Sequence, residues 1–401
     1  ALYDIDAKRL AESLTMLEAI NANCNENRAV ITSYSDRLEA LRGADFVINA
    51  VQVGGYDPCT KTDFEIPKKY GLRQTIADTI GIGGIFRGLR TIPVMLDFAD
   101  DMEKVCPDAL FINYTNPMSI LTGAMLRYTK IKTIGLCHSV QVCASTLLKN
   151  FGLPLEGITY KIAGINHMGW LLELKRNGID IYPEIRKLAV SQKGPDNDQV
   201  RLEMLRTFGY YVTESSEHNA EYMPYWIKDK YPGFIKRFNI PLDEYPRRCE
   251  AQIEKWNAIK NELVNNPALD HSRTSEYASY IIEAIVTNKP FTFGGNVINN
   301  GLIPNLPPEA CVEVMCVADG GGITPGFAGR LPEHLAALNR TNINVHLLTI
   351  EAAVTKKREN IYYAAMLDPH TASELSLDDI KDMCDDLIEA HGSWLPRYSA
   401  C

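Results

Sequence analysis

The chain has 401 residues, 46% of them hydrophobic, and a formal charge of −9. That length and apolar content support a large core in one or two domains. The acidic balance and the lack of a basic tract argue against nucleic acid or an anionic membrane as partner, and no apolar run reaches the roughly 18 residues of a membrane span.

In chain order, ALYDID at 1–6 reads as a strand and 8–21 as a helix. DFVINAVQ at 45–52 reads as a second strand, entered through the turn residues Arg42 and Gly43. The apolar spacing of 89–106 predicts a helix; 109–116 and 131–137 predict two further strands, and 140–153 a helix. Strand and helix in alternation imply a Rossmann-like, mainly parallel sheet over 1–165. Asp4, Gln52, Asn116 and Cys137 fall at or just past the carboxyl ends of its strands, where ligands bind in such sheets. Beyond Ile165 the texture changes. Helices are expected over 199–208, 247–264, 275–287 and 344–366, and strands over 291–299 and 310–318, so 166–401 reads as a mixed α+β catalytic domain.

A dinucleotide fold opens with a strand and a glycine-rich turn, and an acid follows about 20 residues after the glycines. ALYDID has the character of the second strand with its terminal acid, Asp4. The expectation is therefore an N-terminally incomplete nucleotide domain; the plainer alternative is a strand and turn with no cofactor role. GIGG at 81–84 has no suitable strand before it and does not replace the missing turn.

The ten cysteines are dispersed without a CxxC pair, the pattern of reduced cytosolic thiols. Within CHSVQ (137–141), Cys137 and His138 could be a nucleophile pair, part of a metal site, or ordinary packing. His167 in GINHMGW is a second imidazole at the end of an apolar run. Adjacent residues on a strand point to opposite faces, so His138 is poorly placed to act directly on Cys137. The segment 208–226, FGYYVTESSEHNAEYMPYW, is either a solvated loop or a sugar-binding wall. NYTNPM and NVINNGLIPNLP offer asparagines suited to hydroxyl-rich ligands or to turns.

Taken together and in order, ALYDID, VQVGGY, QTIADTIGIGGI, NYTNPM, GLCHSVQ, AGINHMGW, YVTESSEHNAEY and NNGLIPNLP resemble the NAD- and metal-dependent glycoside hydrolases of family 4 along nearly the whole chain. The family's bacterial α-galactosidases share CHSVQ, INHM and TESSEHxAEY. The resemblance implies hydrolysis of melibiose- or raffinose-type α-galactosides by oxidation at carbon 3, elimination and water addition. It implies NAD and manganese or another divalent metal as cofactors, with Cys137 and His167 as metal ligands. Tyr222 becomes the base at carbon 2, with Tyr225 its nearest rival. His138 occupies the position where some members carry an aspartate that assists the leaving group. Asn116 and Asp78 become sugar-binding groups, and Asp4 the ribose acid. The expected setting is a cytoplasmic homodimer or homotetramer. The alternatives are an α-glucuronidase or α-glucosidase of the same family, or a catalytically silent sugar-binding subunit lacking the glycine-rich loop.

Overall fold

The computed structural model describes residues 1–399. Twelve strands follow in chain order: β1 (Leu2–Tyr3), β2 (Ser33–Tyr34), β3 (Phe46–Asn49), β4 (Leu110–Asn113), β5 (Lys132–Gly135), β6 (Ile158–Ile165), β7 (Met168–Arg176), β8 (Ile179–Asp180), β9 (Tyr211–Val212), β10 (Phe291–Ile298), β11 (Cys311–Asp319) and β12 (Gly322–Pro325). β1 and β2 pair in parallel as a small sheet of their own, and the other ten form one large sheet. Between the two sheets lies a cleft of about 450 Å³, lined among others by Tyr3, Leu41, Phe46, Ile48, Phe98 and Phe111.

The large sheet has a parallel half and an antiparallel half. β3, β4 and β5 are parallel neighbours, joined by crossovers that carry the helices Gly81–Val105 and Met118–Tyr128. Parallel neighbours need such long returns, because a tight turn cannot reverse the chain and restore its direction. Their register puts Asn49, Asn113 and Gly135 side by side, so all three strands end along one line. β10 then pairs antiparallel with β5, and β11, β6 and β7 continue outward in the order β5-β10-β11-β6-β7. The sheet thus runs from the nucleotide-type half into the second half without a break. The expected boundary at 165/166 falls on the turn between β6 and β7. One apolar core serves both halves, with Phe86, Phe111, Ile134, Trp170, Val314 and Ile350 in a single buried cluster.

Two expected helices have different limits. The helix expected over 89–106 begins at Gly81. Four of the eight residues it gains at its start, 81–88, are glycines, which are poor helix formers by intrinsic propensity. They are needed there because a Cβ on Gly83 would lie 2.4 Å from the Ala77 carbonyl oxygen, and one on Gly84 2.6 Å from the Thr79 carbonyl carbon. GIGG is therefore the first turn of a helix pressed onto the loop before it. The expected helix 344–366 is two helices, Glu333–Thr355 and Arg358–Leu367, divided where Lys356 adopts a left-handed φ of 59°. Among the described residues, no helix is long and apolar enough to cross a membrane. Nine cysteines are free thiols, and Cys401 lies outside the described residues.

Candidate metal and sugar site

Cys137 stands between the end of β5 and the first residue of the helix His138–Asn150. His167 lies in the two-residue turn that joins β6 to β7. That hairpin is tight: a Cβ on Gly164 would sit 2.4 Å from the Met168 carbonyl oxygen. Glu214 arrives from a third direction. β9 pairs with β7, the Thr213 N–H donates to the Gly169 carbonyl at 2.7 Å, and the Gly169 N–H donates to Thr213 Oγ1 at 3.0 Å. These bonds lash the TESSEH segment to the INHMG turn. Glu214 itself has a left-handed φ of 64°, and the Ser215 N–H donates to its Oε1 at 3.1 Å.

One ligand atom each from Cys137, His167 and Glu214 lies within 4.8 Å of the other two. His167 Nε2 is 3.5 Å from Glu214 Oε2, and Cys137 Sγ is 4.0 Å from the same oxygen. Thiolate, imidazole and carboxylate form a donor set suited to a borderline divalent ion. The charges around them fit such an ion too. Burial pushes the Cys137 thiol up, and the Glu313 and Glu214 carboxylates push the same way. Burial also acts to raise Glu214, but the His167 and His218 charges and the Ser215 N–H prevail and hold it at about 2. A divalent cation bound among these groups would keep a thiolate and a carboxylate both ionised at such short range.

The expected sugar-binding groups gather around this set. Asn116 Nδ2 donates to Asp78 Oδ2 at 3.3 Å, and Asp78 Oδ1 lies 3.8 Å from His218 Nε2. His218 Nδ1 meets Ser215 Oγ at 2.8 Å, and its ring packs edge-on against His167 with centroids 4.9 Å apart. The loop that carries Asp78 is fixed by Glu221, whose buried carboxylate accepts the N–H groups of Thr75, Ile76 and Ala77. Tyr222 is fully enclosed, with its hydroxyl 3.3 Å from His167 Nδ1. Burial raises its pKa well above 10, and Asp78, Glu214 and Glu221 add to the effect. Its rival Tyr225 is exposed and packs on Phe208 and Trp226 instead.

Two expected site residues lie outside the cluster. His138 is exposed. Its Nε2 meets Glu276 Oε1 at 2.6 Å, and its ring stacks on Tyr114. It is the first residue of the helix His138–Asn150, with its side chain in solvent. Asp4 follows β1 and pairs with Arg9 Nε at 2.5 Å. In the Gly81–Gly84 turn, the space beside Gly83 and Gly84 is filled by the backbone of Ala77 and Thr79.

Three further residues were not singled out from the sequence. Glu214 and His218 were visible only as members of a polar stretch. Glu313 carried a signal: it is a lone acid in the valine- and cysteine-rich run CVEVMCV, and a charge inside an apolar strand is rarely buried without a purpose.

The fold defines an α/β enzyme of dinucleotide type, with a thiol, an imidazole and a carboxylate gathered near the ends of its strands. The chain belongs to family 4 of the glycosyl hydrolases, whose family models match residues 1–153 and, as the C-terminal domain, residues 162–371. It is 65% identical over 399 residues to an alpha-galactosidase of Bacillus subtilis (strain 168), covering 99% of this chain and 92% of that relative. It is 33% identical to an alpha-galactosidase of Rhizobium meliloti (strain 1021), covering 100% of this chain and 83% of that one. Its fold is similar to that of a 6-phospho-alpha-glucosidase from gut microorganisms solved with NAD and Mn2+, with a TM-score of 0.83 at 21% identity over 99% of this chain and 92% of that one.

Proposed function

We propose that this chain is an α-galactosidase that hydrolyses melibiose- and raffinose-type sugars with the help of NAD and a divalent metal, manganese in the first instance. The observation that carries the chemistry is the convergence of Cys137, His167 and Glu214 beside the enclosed Tyr222. The substrate class rests on the 65% identical relative.

When bound, NAD would supply reversible oxidation at carbon 3, and the metal would polarise the sugar's oxygens on carbons 2 and 3 as a Lewis acid. Cys137, His167 and Glu214 are the residues that would hold the metal. Asp4, at the end of β1, is the residue assigned to the adenine ribose. Asn116 and Asp78 orient the sugar hydroxyls by hydrogen bonds, and His218 fixes Asp78 from the other side. Tyr222 removes the proton from carbon 2. Its phenol is buried and surrounded by carboxylates, so it becomes a base only when positive charge is placed beside it. This ties proton abstraction to a loaded site. His138, exposed and paired with Glu276, is the group assigned to the leaving oxygen by its place directly after Cys137.

The test is release of galactose from an aryl α-galactoside by the full chain supplied with NAD+, Mn2+ and a thiol reductant. Loss of deuterium from carbon 2 during turnover supports elimination over direct displacement. No turnover of α-galactosides, with turnover of an α-glucuronide or α-glucoside, would transfer the reading to another specificity of the family. Free thiols at all nine described cysteines support a cytoplasmic setting. A homodimer or homotetramer is the expected assembly, measured by light scattering.

A further inference from the structure

The two ligands that the sequence motifs supply come from separate elements. Cys137 follows β5, and His167 sits between β6 and β7. β5 and β6 are not neighbours: β10 and β11 lie between them. Across those two strands runs a continuous buried chain of hydrogen bonds. Asn296 on β10 donates through Nδ2 to the Gly135 carbonyl, two residues before Cys137, at 3.3 Å. The same Nδ2 donates to Glu313 Oε1 on β11 at 2.9 Å. Asn166, the residue before His167, donates to that oxygen from the other side at 3.4 Å.

The contact is close because Gly135 has no side chain: a Cβ there would be 2.9 Å from that of Asn296. Asn166, Asn296 and Glu313 are all fully buried. Glu313 Oε2 has no hydrogen-bond partner among the described residues. A carboxylate enclosed with only half of its acceptors used is costly unless a positive charge lies nearby to offset it.

We infer that Glu313 and Asn296 are positioning residues for the metal site: they set the separation of Cys137 and His167, and Glu313 adds an enclosed negative charge behind the cation. The inference rests on the reading of Cys137, His167 and Glu214 as metal ligands. Outer groups that orient metal ligands typically affect metal affinity by about 10–100-fold. Glu313→Gln keeps the shape and offers an oxygen to both asparagines, so it isolates the charge. Asn296→Ala removes the link between the two ligand-bearing elements.

The experiment strips the full chain of metal and titrates it with Mn2+, followed by electron paramagnetic resonance. A parallel titration with Co2+ follows thiolate-to-cobalt charge-transfer absorption. The expected result is a thiolate band in the wild type, Mn2+ affinity about 10–100-fold weaker in both variants, and a diminished or shifted band in N296A. Variants that retain wild-type affinity and band while losing only thermal stability would overturn the inference and leave the site reading intact. A wild type with no thiolate band would overturn the site reading itself. E313Q decides the matter alone if N296A does not fold.

Discussion

Two buried ionic clusters in this molecule are built on opposite plans. In the first, Arg90 grips Asp63 through both nitrogens, Nη1 to Oδ1 at 3.1 Å and Nη2 to Oδ2 at 2.6 Å. His391 Nε2 meets the same Oδ1 at 2.9 Å, and the His391 ring stacks on Phe86. Both carboxylate oxygens are engaged, and the side chains are 1–3% exposed. In the second, Cys137, Glu214, Asp78 and Glu313 gather near two imidazoles, and Arg201 reaches Glu214 at its backbone carbonyl and not at its carboxylate. The first cluster satisfies its carboxylate from within the chain and ties the helix Leu377–His391 to the helices Lys61–Lys69 and Gly81–Val105. The second has an excess of acceptors. Buried charge alone does not identify a site; buried charge that the chain leaves uncompensated does.

Substitutions can break this contrast. The largest effect is expected from Cys137→Ala or His167→Ala, which remove a ligand: steady-state turnover of an aryl α-galactoside should fall by roughly 10³-fold or more, while circular dichroism stays unchanged. Asp63→Ala should do the reverse. It strands Arg90 in the core and should cost about 3–5 kcal/mol in urea unfolding, with Mn2+ affinity of the folded protein unaltered. A loss of metal affinity in D63A would erase the distinction between the clusters. His138→Gln sharpens the leaving-group assignment. It should slow melibiose hydrolysis about 10²-fold and that of a dinitrophenyl galactoside, which needs no proton, by less than tenfold. Equal losses on both substrates would remove His138 from the leaving-group role.

A further effect, read in pH dependence, concerns a buried group outside both clusters. Burial depresses the His346 pKa to about 3, against an ordinary value of 6.5, and its Nε2 has no partner among the described residues. The unfolded chain therefore binds a proton between those values that the folded chain refuses. His346 contributes stability above about pH 6.5 that is lost as the pH falls toward 3, at up to about 1.4 kcal/mol per pH unit. His346→Leu should flatten that part of the stability profile in denaturant titrations at successive pH values.

The strands of the parallel half were legible because each is a short apolar run bounded by turn residues, and Cys137 lies at the end of one of them. The meeting of Cys137 with His167 was not legible from spacing. It depends on β10 and β11, which lie more than a hundred residues later and insert between the two ligand-bearing elements. Glu214 was hidden for a related reason: a two-residue strand, β9, brings it in, too short to carry a periodic pattern. The start of the helix at Gly81 was missed because glycine propensity opposes helix formation, whereas close packing on Ala77 and Thr79 requires it. The division at Lys356 left no mark either. A lysine in the left-handed region gives no signal of the kind that glycine or asparagine would.

The insertion of β10 and β11 also sets a timetable for the growing polypeptide. By the time residue 167 leaves the ribosome, both proposed ligands, Cys137 and His167, have been made, yet the strands that belong between them have not. The nascent chain must wait for another 150 residues or so, a separation that makes this a slow, non-local closure. Fragments that stop short of β11 would carry the sulfur and the imidazole without the frame that brings them together, so a cation held by both would be captured only once that strand has been made.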